Sequence, residues 1–149
     1  MILLNFLFFE SPIGVIRVEY TQQGISSLRF VEHLGENHTD NPDFEKLILS
    51  DLHGYFTLKN YTWKCAVAPH LGTEFQEKVW KILDEIPAGE AWTYRDIAER
   101  IGQPNAAQAV GNANGQNPVL LRIPCHRVIG SNGAMVGYAG ELWRKEWLL

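Results

Sequence analysis

The sequence predicts a mixed α/β protein of the α+β kind. A small sheet-plus-helix part covers residues 1–70, and a winged-helix-like part covers residues 71–149. Three observations carry this expectation. Short strand-like runs fill the chain up to Val31, the texture turns helical from Thr73 onward, and Pro69-His70-Leu71-Gly72 reads as a linker between the two.

The opening run, Ile2 to Phe9, is apolar. It lacks a basic leader and a small-residue cleavage site, and Glu10 follows at once, so it reads as a buried strand rather than a signal peptide. Ser11-Pro12-Ile13-Gly14 is turn chemistry, and Val15 to Tyr20 alternates as a half-buried strand does. Gln22-Gln23-Gly24 turns the chain into a third run, Ile25 to Val31. After a polar loop from Glu32 to Asn41, Pro42 suits a first helical position with Asn41 as cap. Phe44, Leu47, Ile48, Leu52, Tyr55 and Phe56 then keep helical spacing. Tyr61 to Val67 is expected to return to strand.

Beyond the linker, Thr73-Glu74-Phe75-Gln76 is a capping-box pattern ahead of Phe75, Val79, Ile82 and Leu83, and Pro87-Ala88-Gly89 ends that helix. Thr93 caps a short helix through Ile97 and Ile101, closed by Gly102. A second short helix follows, rich in Ala106, Ala107, Ala109, Gly111 and Ala113. Two short helices joined by a tight turn fit a helix-turn-helix, but taken alone they read more readily as an ordinary helical hairpin.

Composition narrows the function classes. The chain has 149 residues, 46% of them hydrophobic, a formal charge of −4 and two cysteines. That excludes a disordered chain and a disulfide scaffold. No apolar run approaches the roughly 20 residues that span a bilayer, and a reducing cytosol is the expected compartment. Charge is uneven: residues 1–72 hold five bases against eight acids, whereas residues 91–127 hold four arginines against Asp96 and Glu99. The overall acidity therefore leaves a DNA partner open.

The chemistry is concentrated in Asn117-Pro118-Val119-Leu120-Leu121-Arg122-Ile123-Pro124-Cys125-His126-Arg127-Val128. A cysteine among apolar residues is often an inert core residue. A thiol of pKa about 8.5 becomes a nucleophile when nearby groups favour its thiolate, and His126 and Arg127 follow directly. Residue types alone leave both readings standing. Cys65, in Trp63-Lys64-Cys65-Ala66-Val67, reads as buried filler. His33, His38, His53 and His70 lack ligand spacing with the cysteines, so no metal and no cofactor are expected.

The longer string is more specific. Ile123-Pro124-Cys125-His126-Arg127-Val128-Ile129-Gly130, then Gly137-Tyr138-Ala139-Gly140 and Arg144-Lys145-Glu146-Trp147-Leu148-Leu149, closely resembles the methylated-DNA–protein-cysteine methyltransferases. The likeness extends over residues 73–149, including Trp92-Thr93-Tyr94, Ala106 to Gly111 and Asn117-Pro118. It implies an RNase H-like amino-terminal domain, then a winged-helix-like alkyltransferase domain that binds the minor groove of double-stranded DNA carrying O6-alkylguanine. The alkyl group would pass irreversibly to Cys125 from an extruded nucleotide. By the same resemblance His126 polarises the thiol through a water, Tyr94 serves the departing guanine, and Asn117 braces the turn. Val128, Tyr138 and Ala139 wall the alkyl pocket. Ala106, Ala107, Gln108, Ala109 and Gly111 face DNA, and Arg127 is either a structural residue or a phosphate contact. A monomer without membrane attachment is expected.

Two departures stand out. Gln108 occupies the place where the family carries an arginine, which predicts weaker DNA affinity or slower extrusion. The family usually continues past Trp-Leu-Leu to a glutamate that orients the histidine, and the sequence ends at Leu149, which predicts a less fixed imidazole. These keep open a non-enzymatic alkyltransferase-like protein that binds alkylated DNA and recruits other repair. A winged-helix regulator would leave the Pro124-Cys125-His126-Arg127 string unused, and a cysteine hydrolase would need a distant histidine and an oxyanion site.

Overall fold

Alternation along the first three strands builds a single-faced sheet. In the computed structural model, which describes residues 4–130, 138 and 140–149, β1 (Asn5–Ser11), β2 (Gly14–Thr21) and β3 (Gly24–Val31) pair antiparallel in the order β1-β2-β3. Leu7, Val18 and Leu28 meet in register across the three strands and are fully buried. Ile16 and Tyr20 share that face because side chains repeat every second residue. Helix α1 (Pro42–Thr57) starts where Asn41 accepts from the Phe44 amide at 3.2 Å, and it buries Ile48 and Leu52.

The segment expected as a strand, Tyr61 to Val67, is not one. It makes a single parallel bridge, Val67 to Ile25. The reason is the buried carboxylate of Asp51 on α1. It accepts from the Tyr61 hydroxyl at 2.6 Å, the Lys64 amide at 3.0 Å and the Cys65 amide at 2.8 Å. A side chain thus takes backbone donors that a ladder would have used. Gly54, one turn along α1, admits the Tyr61 ring against its backbone, where any Cβ would collide.

The chain divides into two compact units, residues 1–69 and residues 70–149. The second is helical. Helix α2 (Glu74–Leu83) opens with the Thr73–Gln76 capping box. A two-residue strand β4 (Trp92–Thr93) leads into α3 (Tyr94–Arg100), capped reciprocally by Thr93 and Asp96. Gly102 takes φ +78°, a left-handed conformation that stops α3 and suits glycine. Helix α4 (Ala107–Gly115) follows, with Ala106 at its cap position rather than inside it. Helices α2, α3 and α4 pack together around Val79, Leu83, Ile97, Val110 and Ala113. Trp80 on α2 donates its indole N–H to the Ala113 carbonyl at 2.8 Å.

Besides β4, two more elements were not expected from the sequence. Strand β5 (Val128–Ile129) pairs in parallel with β4, Trp92 opposite Val128. Helix α5 (Leu142–Leu148) packs on the turn that carries Cys125. Among the described residues no helix is long and apolar enough to cross a membrane.

Candidate active site

The loop from Asn117 to Pro124 is folded by Asn117. Its side-chain amide donates to the Ile123 carbonyl at 2.9 Å, and its oxygen accepts from the Val119 amide at 2.9 Å. Leu121, buried within the loop, holds φ +69°, a conformation that costs a branched residue about 1–3 kcal/mol. Pro124 then fixes the entry to a 3-10 turn, Cys125–Arg127, which runs straight into β5.

Cys125 lies in that turn with 2% of its surface exposed. Burial pushes its thiol up to about 11, opposed by a hydrogen bond from the Asn117 side chain and by the charge of Lys145. In the resting protein the thiol is therefore protonated at neutral pH. His126 is fully buried, and burial, aided by Arg127 and Lys145, pushes it down to about 3, so the imidazole is neutral. The His126 and Tyr138 rings meet edge to face at 6.3 Å between centroids.

Tyr94 opens α3, and its hydroxyl is raised first by burial and then by the Cys125 charge. Its ring runs alongside Gly111 on α4, where an added Cβ would sit 3.8 Å from it. Tyr94 also lines a cavity of about 460 Å³ with Arg95, Pro104, Ala107 and Gln108. The cavity joins the first residue of α3 to the face of α4.

The sequence-derived residues thus fall into two sets. Asn117 hydrogen-bonds the Cys125 thiol, His126 follows it in the same turn, Val128 is buried one residue beyond the turn, and Tyr138 lies against His126; Tyr94 opens α3 and borders the cavity. Gln108 and Ala109 sit on the exposed side of α4, and Ala106, Ala107 and Gly111 are half-buried. Arg127 spends one guanidinium nitrogen on the Ile86 carbonyl at 2.8 Å, which ties the cysteine turn to the segment after α2. Ala139 lies outside the described residues. Among the described residues no group of three His, Cys, Asp or Glu is placed to hold a metal ion.

Two residues at the site had no role in the sequence reading. Asn114 on α4 is buried and its amide lies 3.4 Å from the Cys125 carbonyl. Lys145 on α5 is fully buried and donates to the Val128 carbonyl at 2.5 Å. Periodicity misleads in α5, because Leu142, Trp143 and Trp147 are exposed while the lysine points inward. Only its place in the Arg144 to Leu149 string signalled it.

A buried cysteine on a tight turn, bonded to the second of two short helices, is the arrangement that the sequence resemblance implied for an alkyl-accepting, DNA-binding class of protein. Comparison with known proteins makes the class specific. Residues 74–149 match the family model described as the 6-O-methylguanine DNA methyltransferase, DNA binding domain. The methylated-DNA–protein-cysteine methyltransferase of Methanosarcina acetivorans is 41% identical, over 98% of this chain and 96% of that one. The namesake from Mycolicibacterium paratuberculosis is 40% identical over 94% and 87%. The crystal structure of Mycobacterium tuberculosis OGT in complex with DNA superposes with a TM-score of 0.81 at 38% identity, covering 97% of this chain and 89% of that one. The chain belongs to the 6-O-methylguanine DNA methyltransferase family.

Proposed function

We propose that this protein repairs DNA by direct reversal, as a methylated-DNA–protein-cysteine methyltransferase whose acceptor is Cys125. One observation carries the assignment of the acceptor: Asn117, which folds the loop before Cys125, also hydrogen-bonds its thiol, and Asn114 of α4 meets the Cys125 carbonyl. Cys65 lies in the other unit, where its amide serves Asp51.

The chemistry balances as a single displacement. Cys125 sulfur bonds to the alkyl carbon as the bond from that carbon to O6 of guanine breaks. The electron pair of that bond stays with guanine, and the proton lost by the thiol ends on the base. In-line approach to the carbon requires an extruded nucleotide, at a cost of a few kcal/mol. On this reading the cavity lined by Tyr94 and Gln108 receives that base, and the Tyr94 hydroxyl donates toward it. Neutral His126 accepts and relays the thiol proton rather than holding it, since its acidity opposes a lasting imidazolium. The thioether product is stable, so each molecule reacts once.

The substrate on this reading is double-stranded DNA carrying O6-alkylguanine, met by a monomer in the cytoplasm, with the exposed face of α4 toward the duplex. The test is the intact mass of the protein after incubation with a duplex containing one O6-methylguanine. The expected result is a gain of one methylene per molecule, on the peptide that holds Cys125. No gain, with the lesion bound more tightly than plain guanine, would replace transfer with lesion recognition alone.

A further inference from the structure

One side of α4 runs from the cavity to the cysteine. Ala107 lines the cavity, Gly111 lies alongside the Tyr94 ring, and Asn114 meets the Cys125 carbonyl. These residues stand at i, i+4 and i+7, so they share one helix face. Alanine and glycine keep that face low, and the polar side chain that rises from it beside the nucleophile is Asn114.

Asn114 is 4% exposed. Its amide nitrogen donates toward the Cys125 carbonyl at 3.4 Å, whereas among the described residues nothing donates to its buried Oδ1. A buried acceptor without a donor is unfavourable, and folded proteins hold few of them. Oxygen and nitrogen of an amide lie about 2.3 Å apart, so Oδ1 stays within about 6 Å of the Cys125 carbonyl oxygen. What is missing at this point of the site is an N–H donor. An O6-alkylguanine ring carries its donors on the 2-amino group alone, because alkylation removes the N1 proton and leaves O6, N1, N3 and N7 as acceptors.

We propose that Asn114 determines base specificity at this site: its Oδ1 accepts from the 2-amino group of the extruded purine while Cys125 takes the alkyl group. The other polar side chains have different work. The Asn117 oxygen accepts from the Val119 amide, Lys145 donates to the Val128 carbonyl, and Gln108 is exposed one full turn or more before Gly111 reaches the Tyr94 ring.

The inference rests on Cys125 as the acceptor from an extruded base, and it adds the group that reads the ring. Its test compares two duplexes that differ by one group, O6-methylguanine and O6-methylhypoxanthine, which lacks the 2-amino group. Methyl transfer is timed for wild type and for Asn114→Leu, which has nearly the same volume and neither donor nor acceptor. Wild type is expected to react about tenfold or more slowly with the hypoxanthine duplex, since the acceptor then stays unpaired. Asn114→Leu should treat the two within about twofold. Loss of the bond to the Cys125 carbonyl slows both duplexes alike and cancels in the ratio, so a merely structural role for Asn114 would leave the tenfold preference in place and overturn the proposal.

Wild type gives a reading that no misfolded variant can obscure: equal rates on the two duplexes would overturn the proposal and leave methyl transfer to Cys125 standing. The reverse outcome is also distinct. A wild type that takes no methyl, yet binds the guanine duplex more tightly than the hypoxanthine duplex and loses that preference in Asn114→Leu, would sink the transfer reading and leave this one in place.

Discussion

The Asn117 side chain donates to the Ile123 carbonyl at 2.9 Å, two residues before the cysteine. The same side chain accepts from the Val119 amide and hydrogen-bonds the Cys125 thiol, so one buried group sets both the loop and the nucleophile. Asn117→Ala should therefore cost about 1–3 kcal/mol of stability, the penalty for leaving buried partners unsatisfied. It should also slow Cys125 modification, since the hydrogen bond favours the thiolate. Urea unfolding and iodoacetamide rates check the two effects separately. A full loss of stability with an unchanged pH profile of modification would assign Asn117 to the loop alone.

Cys125→Ser should abolish methyl transfer while a lesion-bearing duplex is still bound. The hydroxyl fills nearly the same buried volume, so the turn keeps its packing, but it is a far weaker nucleophile than a thiolate. Mass spectrometry and a gel-shift titration are the paired readouts. Any transfer by the serine variant would place the acceptor elsewhere.

Gln108→Arg should tighten DNA binding. Gln108 is exposed on α4 and borders the cavity shared with Tyr94. A guanidinium there adds charge toward the duplex and a planar face beside an extruded base. One added phosphate contact steepens the dependence of log affinity on log salt by about one unit. Titrations at several salt concentrations measure this, and an unchanged slope and affinity would show that α4 does not face the backbone at this residue.

Much of this molecule was legible before its coordinates. Asn41, Thr73 and Thr93 announced three helix starts through their capping side chains, and alternation from Val15 to Tyr20 announced the central strand. These are local signals, read within a few residues. The misreadings came from long-range partners. Tyr61 to Val67 has strand composition, but Asp51, ten residues upstream of Tyr61 in sequence, takes its donors. Lys145 was given no role at all, because the Val128 carbonyl to which it donates lies seventeen residues away. Cys125 and His126 were found by their string, yet only the fold shows that both are buried and neutral at rest.

Asp51→Ala should destabilise the amino-terminal unit by about 1–3 kcal/mol, because it strands the buried Cys65 amide and takes the acceptor from the half-buried Tyr61 hydroxyl and the Lys64 amide. The carboxylate bond also raises Tyr61 to about 12, so loss of Asp51 should return the phenol toward its ordinary value of 10. Cys65→Ala, by contrast, removes a buried side chain whose backbone amide still reaches Asp51, and transfer should survive in the folded variant. Thermal melts, tyrosinate absorbance against pH and the methylene mass gain distinguish these outcomes.

Acid should unfold this protein through His126. Its folded value is depressed to about 3 by burial, aided by Arg127 and Lys145, from an unfolded value of 6.5. A depressed basic group binds fewer protons folded than unfolded, so stability rises with pH across the interval between the two values. The contribution is fully present above pH 6.5 and is lost progressively as pH falls toward 3, by several kcal/mol in all at about 1.4 kcal/mol per unit. Cys125 acts at the other end. Its folded value is raised from 9.0 to about 11, so its contribution is present below pH 9 and is lost as pH climbs through 11. Urea midpoints between pH 5 and pH 8 should fall on the acid side, and His126→Gln, which does not titrate, should flatten that slope even where its absolute stability is lower. A wild-type midpoint constant from pH 8 down to pH 5 would mean that the imidazole charges freely, and the buried, neutral His126 would have to be abandoned.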